Sequence, residues 1–130
     1  MSQITRIDDI PNKGRGLVAN VDIQENELIE QTPILIFSKA SANLCGLINY
    51  SYPYDYTDSG QYDPEVDSVC IALGNSTLIN CSADSNTTWE IDPVNKLFSL
   101  FAKRFIAANE EITLYYGLTE EQMIERGWST

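Results

Sequence analysis

The chain has 130 residues, of which 43% are apolar, and it carries a formal net charge of -11. This length and composition predict one domain with a single core rather than a disordered chain. The charge argues against direct binding of nucleic acid, which needs a basic surface, and it favours cationic partners. The same acidity is also explained if it serves only to keep the protein soluble.

Apolar runs, the N-terminal residues and the cysteine and histidine content limit the possible location and chemistry of the protein. No run reaches the roughly 18 apolar residues of a membrane span, and the N-terminal residues lack the apolar core of a secretory signal. We therefore expect an intracellular, cytoplasmic protein with no membrane partner, and nuclear or nucleoid association stays open. Three cysteines match neither a zinc site nor a disulfide framework, so no metal is expected. The absence of histidine excludes Ser-His-Asp and Cys-His chemistry from this chain alone.

The first third of the chain is predicted to be β-structure. Short strands are expected over residues 4–7, 17–21, 27–30 and 34–37, and residues 11–16 are expected to form a turn. Pro33 should mark an edge or a bulge, because proline cannot donate to a strand ladder. Residues 38–48 fit a short helix with Ser38 as its N-cap.

The remaining elements are predicted from similar signals. Residues 50–60, rich in tyrosine and turn formers, are the longest irregular stretch, and such loops are usually functional or mobile. Strands are expected over residues 69–73, 87–91, 96–105 and 111–115. Residues 119–126 should form a terminal helix, capped by Thr119 and ended by Gly127.

Two segments, residues 23–29 and 106–112, are near-repeats of each other. Each is typical of a tight turn that leads into a strand. Asn26 and Asn109 are expected to take the left-handed conformation that glycine would otherwise supply. Because the match is short, two ordinary turns of similar composition would explain it as well.

Three blocks that lie far apart in the chain carry the main functional signal. They are Asn12-Lys13-Gly14-Arg15-Gly16-Leu17, Leu78-Ile79-Asn80-Cys81-Ser82 and Ile112-Thr113-Leu114-Tyr115-Tyr116-Gly117. In this order they resemble the three signature stretches of SET domains, the lysine methyltransferase fold that uses S-adenosylmethionine. The resemblance extends over about residues 4–117. The joint occurrence of the blocks is much more specific than any one of them.

The first two blocks are implied by this resemblance to bind the cofactor. Alone, glycines between strands indicate only a turn that needs positive φ, a buried Asn is often a turn anchor, and a free Cys is usually a small core residue. By resemblance, the loop of Lys13, Gly14, Arg15, Gly16 and Leu17 wraps the methionine end of the cofactor. Asn80 holds the amino acid group, and the backbone of Cys81 contacts the adenine. Cys81 stands where the family usually has His, and the PR-domain branch commonly has Asn-Cys-Ala there.

The third block supplies the residue expected to be catalytic. Tyr116 aligns with the tyrosine whose hydroxyl lies where the transferred methyl group passes, although a tyrosine that ends an amphipathic strand is common. Leu114 and Tyr50 are expected in the substrate channel, and Leu114, lacking a hydroxyl, favours multiple methylation. Trp128 is expected to stack on the adenine, and a surface or core-capping role would explain it equally well.

The implied chemistry needs no histidine. Free lysine has a pKa of about 10.4. Burial and an adjacent sulfonium cation both disfavour the ammonium form, and they lower that pKa. No general base is then strictly required.

The resemblance also implies the fold. It is an α+β, β-rich, SET-type fold of several small sheets with a C-terminal pseudoknot and a short terminal helix, formed by one domain over residues 1–130. The small size is similar to that of stand-alone viral and bacterial SET proteins, in which dimerisation can complete the site. A homodimer is therefore among the expectations.

Two functions are considered. The first is a protein-lysine N-methyltransferase that transfers a methyl group from S-adenosylmethionine to a lysine of a basic protein or peptide, in keeping with the net acidity. The second is a catalytically degenerate SET-like domain that acts as a peptide-binding or oligomerisation module, and Cys81 is the feature that favours it.

Overall fold

The described residues form two sheets and one α-helix. The structure, a computed structural model, describes residues 3–46 and 50–115. In chain order the elements are β1 (Thr5–Ile10), β2 (Gly14–Ala19), β3 (Leu28–Ser38), α1 (Lys39–Cys45), β4 (Tyr52–Pro53), β5 (Ser68–Ala72), β6 (Asn80–Cys81), β7 (Thr87–Asp92), β8 (Leu97–Ala102) and β9 (Glu111–Leu114). A 3-10 turn at Asn75–Leu78 precedes β6. The predicted β-rich α+β class is confirmed.

The smaller sheet has the strand order β1-β2-β9-β6. β1 and β2 form an antiparallel hairpin in which Ile10 pairs with Gly14. β9 pairs antiparallel with β2 on one side and parallel with β6 on the other. The last strand of the described chain therefore lies between two strands that come from distant parts of the sequence.

The larger sheet has the order β4-β5-β3-β8-β7. The prediction of two short strands separated at Pro33 is wrong, because β3 runs through this residue. Pro33 lies where the ladder changes partner: Pro33 pairs with Leu97 of β8, and Ile34 pairs with Ala72 of β5. A missing N–H at this junction interrupts neither ladder.

One core is shared by both sheets. Leu17 and Ile112 of the smaller sheet pack in the same buried cluster as Phe98 and Leu100 of the larger sheet. Phe98 of β8 has the largest fully buried side chain among the described residues. The two sheets are thus held together by apolar burial, which is the main source of stability in such a domain.

The two near-repeats pair with each other. The backbones of Ile23 and Ile106 exchange two hydrogen bonds, of 2.8 and 2.9 Å. Asn26 and Asn109 have φ values of 69° and 72°, so their predicted left-handed conformation is confirmed. Their mutual pairing makes these turns one structural element rather than two unrelated turns.

The helix α1 completes the described part of the fold. Ser38 caps α1 as predicted, because its hydroxyl accepts a hydrogen bond from the Ser41 N–H. The helix ends at Gly46, which is left-handed. The predicted helix over residues 119–126 and the C-terminal part of the expected pseudoknot lie outside the described residues. Within the described ranges, no helix has the length and apolar character to span a membrane.

Asn86 anchors β9 in the smaller sheet. Its side chain is 2% exposed. The amide nitrogen donates to the Glu111 carbonyl at 2.8 Å and to Glu110 Oε2 at 3.1 Å. Its oxygen accepts from the Thr113 N–H at 2.9 Å. One side chain therefore satisfies backbone groups of the first and third residues of a four-residue strand.

Replacing Asn86 with alanine should lower the free energy of unfolding by about 2–5 kcal/mol, because the Thr113 N–H and the Glu111 carbonyl would lose their buried partner. Urea denaturation measures this change. The control is Asn95→Ala, which removes an exposed bond to Asp92 and should cost less than about 1 kcal/mol. Equal losses in the two variants would contradict the anchoring role of Asn86.

Candidate functional site

The three sequence blocks meet in the smaller sheet. The first block continues into β2, the second contains β6, and the described part of the third, residues 112–115, contributes most of β9. Leu17 pairs with Ile112, and Asn80 pairs with Thr113. β9 thus brings together segments that are distant in sequence. Leu17 and Asn80 are about 60 positions apart, and Asn80 and Thr113 are about 30 positions apart.

The first block is a shorter turn than predicted. The turn covers residues 11–13, and Gly14 and Gly16 already belong to β2. Asn12 and Gly14 have φ values of 65° and 78°, on either side of Lys13. The predicted turn over residues 11–16 is therefore too long, because the β1–β2 hairpin pairs as far as Ile10 and Gly14.

Gly16 allows the three blocks to approach closely. A Cβ atom on this residue would lie 2.6 Å from Asn80 Nδ2 and 2.9 Å from Glu111 Oε2. Such distances are shorter than van der Waals contact. A side chain at residue 16 would displace the side chains of Asn80 and Glu111, so glycine preserves their contact here without any positive φ.

A polar cluster lies beside Gly16. Asn80 Nδ2 donates to Glu111 Oε2 at 2.8 Å and to the Arg15 carbonyl at 3.3 Å. Lys13 Nζ lies 3.3 Å from Glu111 Oε1, and both side chains are 19% exposed. Partial burial reduces the solvent screening of this ion pair. The cluster joins Lys13 of the first block and Asn80 of the second to Glu111, which directly precedes the third block.

Four of the predicted site residues are buried, and Gly16 of β2 is one of them. Leu17 and Leu114 belong to the core, Leu114 at 1% exposed, and Cys81 is also buried. Leu114 pairs with Cys81 across β9 and β6. Another buried thiol, Cys70, is unsuited to nucleophilic chemistry at neutral pH, because burial raises its pKa to about 12.

The remaining predicted site residues are not brought into this cluster by the described structure. Tyr50 is 48% exposed and precedes β4 of the larger sheet. Tyr116 and Trp128 lie outside the described residues, so their assigned roles stay predictions. Within residues 3–46 and 50–115, no group of three or more His, Cys, Asp or Glu side chains is placed to hold a metal ion.

An aromatic cleft of about 400 Å³ lies at the edges of the larger sheet. Its lining consists of Pro53, Asp55, Tyr56, Tyr62, Trp89, Glu90 and Ile91. The two edge strands meet beside it, since the rings of Tyr52 in β4 and Trp89 in β7 have centroids 5.0 Å apart. Tyr56 also contacts Tyr62 edge to face, with centroids 6.2 Å apart.

The cleft combines aromatic rings with carboxylates. Asp55 and Glu90 line it, and neither forms an ion pair with any other described residue. Aromatic faces and carboxylates both attract cations. The cleft therefore suits a cationic side chain.

Sequence reasoning missed Glu111, and it did not assign Trp89 or Glu90 to a site. Glu111 directly precedes the third block, but its contact with Asn80 depends on how β6 and β9 pair. Trp89 and Glu90 lie on β7, whose approach to β4 follows from the path of the larger sheet. The tyrosine-rich loop was the one sequence signal that indicated the cleft.

Comparisons with known proteins agree with this arrangement. The sequence model of the SET domain matches residues 14–117. The chain is 31% identical over 115 residues to the histone-lysine N-methyltransferase, H3 lysine-37 specific, of Schizosaccharomyces pombe, covering 85% of this chain and 71% of the relative.

A solved structure has the same fold. The crystal structure of a Plasmodium falciparum protein assigned as a histone methyltransferase matches with a TM-score of 0.69 and 24% identity, covering 88% of this chain and 98% of that chain. At this identity the match concerns the fold alone. The family match and the yeast relative show that the chain belongs to the SET domain family of protein-lysine methyltransferases.

Proposed function

We propose that the protein transfers a methyl group from S-adenosylmethionine to a lysine amine of a basic protein or peptide. The observation that carries the proposal is the meeting of the three signature blocks in one sheet, with the polar cluster of Lys13, Asn80 and Glu111 between them. Family membership supplies the class of reaction.

The residues beside Gly16 fit the methionine end of this cofactor. A Cβ on Gly14 would meet no heavy atom within 4 Å, so the backbone of the loop is open to a ligand. Lys13 offers a cation suited to a carboxylate, and the Asn80 side chain offers an amide suited to an amino acid group. When bound, S-adenosylmethionine supplies an electrophilic methyl group on a sulfonium.

The chain's task is then to position a neutral amine. A lysine held in an apolar channel loses its proton more readily, because burial disfavours the ammonium form. Tyr116 is proposed to direct its hydroxyl at the place where the methyl group passes. Such positioning contributes roughly 7–11 kcal/mol in favourable cases. Leu114 and Tyr50 are proposed to shape the channel, and Cys81 and Trp128 to contact the adenine.

The aromatic cleft supports a basic substrate. Asp55 and Glu90 beside Tyr56, Tyr62 and Trp89 suit a lysine-bearing peptide. The net charge of -11 would attract such a peptide over a longer range. Because the yeast relative carries the name of an H3 lysine-37 enzyme, histone H3 is the first substrate to test.

Isothermal titration with S-adenosylmethionine and its demethylated product, up to millimolar ligand, should give saturable binding. Asn80→Ala should weaken this binding about tenfold or more, because it removes a side chain placed between the first and third blocks. Asn43→Ala, on the exposed face of α1, is the control and should bind like the wild type. A folded wild type that binds neither ligand, but still binds an H3 peptide, would favour the degenerate module instead.

Tyr116→Phe should lower methyl transfer to histone H3 by about 100-fold or more, or change the number of methyl groups added, because it removes the positioning hydroxyl. Mass spectrometry of the product measures both the rate and the multiplicity. Tyr115→Phe, which removes the hydroxyl from the preceding residue, is the control. Wild-type rate and multiplicity in Tyr116→Phe would show that its assigned role is wrong.

The double substitution Asp55→Asn with Glu90→Gln should raise the KM for an H3 peptide about tenfold and change kcat little, because the carboxylates act on substrate binding alone. The matched control is the double substitution Asp58→Asn with Glu25→Gln, which removes the same number of negative charges from exposed positions outside the cleft lining. If both variants raised KM equally, the effect would come from net charge and not from the cleft.

A further inference from the structure

Glu111 contacts two of the residues proposed to bind the cofactor. Its carboxylate accepts from Asn80 Nδ2 through Oε2 and lies against Lys13 Nζ through Oε1. Its backbone is fixed in β9, opposite Val18 of β2, and its carbonyl accepts from Asn86. A side chain anchored in this way can impose an orientation on its partners.

The orientation of the Asn80 amide follows from its two neighbours. The Glu111 carboxylate and the Arg15 carbonyl are both hydrogen-bond acceptors with no proton to give. Only the NH₂ end of the amide can face them. The reverse orientation would place Asn80 Oδ1 about where Nδ2 now lies, 2.8 Å from a carboxylate oxygen, and the two oxygens would repel each other.

The carbonyl end of Asn80 is therefore the end that is left to a ligand. Both hydrogen bonds of its side chain to other described residues are donated through Nδ2. Oδ1 accepts none from the described part of the chain. A carbonyl oxygen accepts from a donor such as an ammonium group, and it does not favour a carboxylate.

Glu111 dominates this orientation. Its bond to Asn80 is shorter than that of the Arg15 carbonyl, 2.8 Å against 3.3 Å, and it is charge-assisted. Lys13 holds the carboxylate from the other side at 3.3 Å. The neighbouring Glu110 does not share this role, since its carboxylate accepts from Asn86 and from the Ala107 N–H.

We propose that Glu111 is a positioning residue of the cofactor site, which turns the Asn80 carbonyl oxygen towards the α-ammonium group of the ligand. The role rests on the proposed use of S-adenosylmethionine. Glu111 acts through Asn80 and selects which end of its amide the ligand meets. The site thereby discriminates between ligands with and without the amino acid end.

The test compares two ligands that differ in this end. S-adenosylhomocysteine carries the α-ammonium group, and 5′-methylthioadenosine keeps the adenosine thioether but lacks the amino acid. By isothermal titration, Glu111→Leu should weaken binding of S-adenosylhomocysteine about tenfold and leave that of methylthioadenosine within about twofold. Glu111→Gln, whose amide oxygen can accept the same bond from Asn80, should recover part of the lost affinity.

The matched control is Asp8→Leu. Asp8 forms an ion pair with Arg6 on β1 of the same sheet, so its loss changes charge and pairing without touching the Asn80 amide. Both affinities should stay within about twofold of the wild type. Equal weakening of both ligands by Glu111→Leu, or wild-type affinity for both, would overturn the positioning role while leaving the cofactor site intact. Failure of the wild type to bind either ligand would overturn the cofactor site and this role together.

NMR spectroscopy measures the hydrogen bonding of the Asn80 amide directly, without a ligand. The side-chain NH₂ signals of Asn80, assigned by their loss in Asn80→Ala, should show one strongly hydrogen-bonded proton in the wild type. That signal should move upfield in Glu111→Leu and much less in Glu111→Gln. Unchanged signals in Glu111→Leu would contradict the proposal.

Discussion

The hydrogen bonds of one buried amide, that of Asn86, support the placement of β9, and the site depends on that strand. β9 has only four residues, of which Ile112 and Leu114 are buried in the core. Asn86 satisfies its backbone at Glu111 and Thr113. Because the strand is fixed in this way, β2 and β6 can pair with its two sides and bring the glycine-containing strand beside Asn80.

Two adjacent glutamates, Glu110 just before β9 and Glu111 at its first residue, serve different purposes. Glu110 closes the turn before the strand by accepting from Ala107 and Asn86. Glu111 points to the other side of the strand and joins Lys13 to Asn80. The first glutamate contributes to the fold, whereas the second contributes to the polar cluster beside Gly16.

The larger sheet contributes in a different manner. Its edge strands approach each other through Tyr52 and Trp89, and a cleft with two carboxylates opens beside them. Trp89 packs against Tyr52 and Phe98, and it also lines the cleft. Core packing and the proposed recognition of a cation therefore both involve Trp89.

The sequence by itself determined the family, the β-rich class and the left-handed Asn26 and Asn109, because signature blocks and turn chemistry are local patterns. By resemblance it also predicted Asn80 and the glycine-containing loop as site residues. It failed at Pro33, where a strand continues because two different ladders share it. Only the tertiary structure decided the pairing of β6 with β9, and hence the contact of Glu111 with Asn80. Likewise, only the path of the larger sheet placed Trp89 and Glu90 at the cleft, since contacts between residues far apart in the chain depend on strand register, which local sequence does not specify.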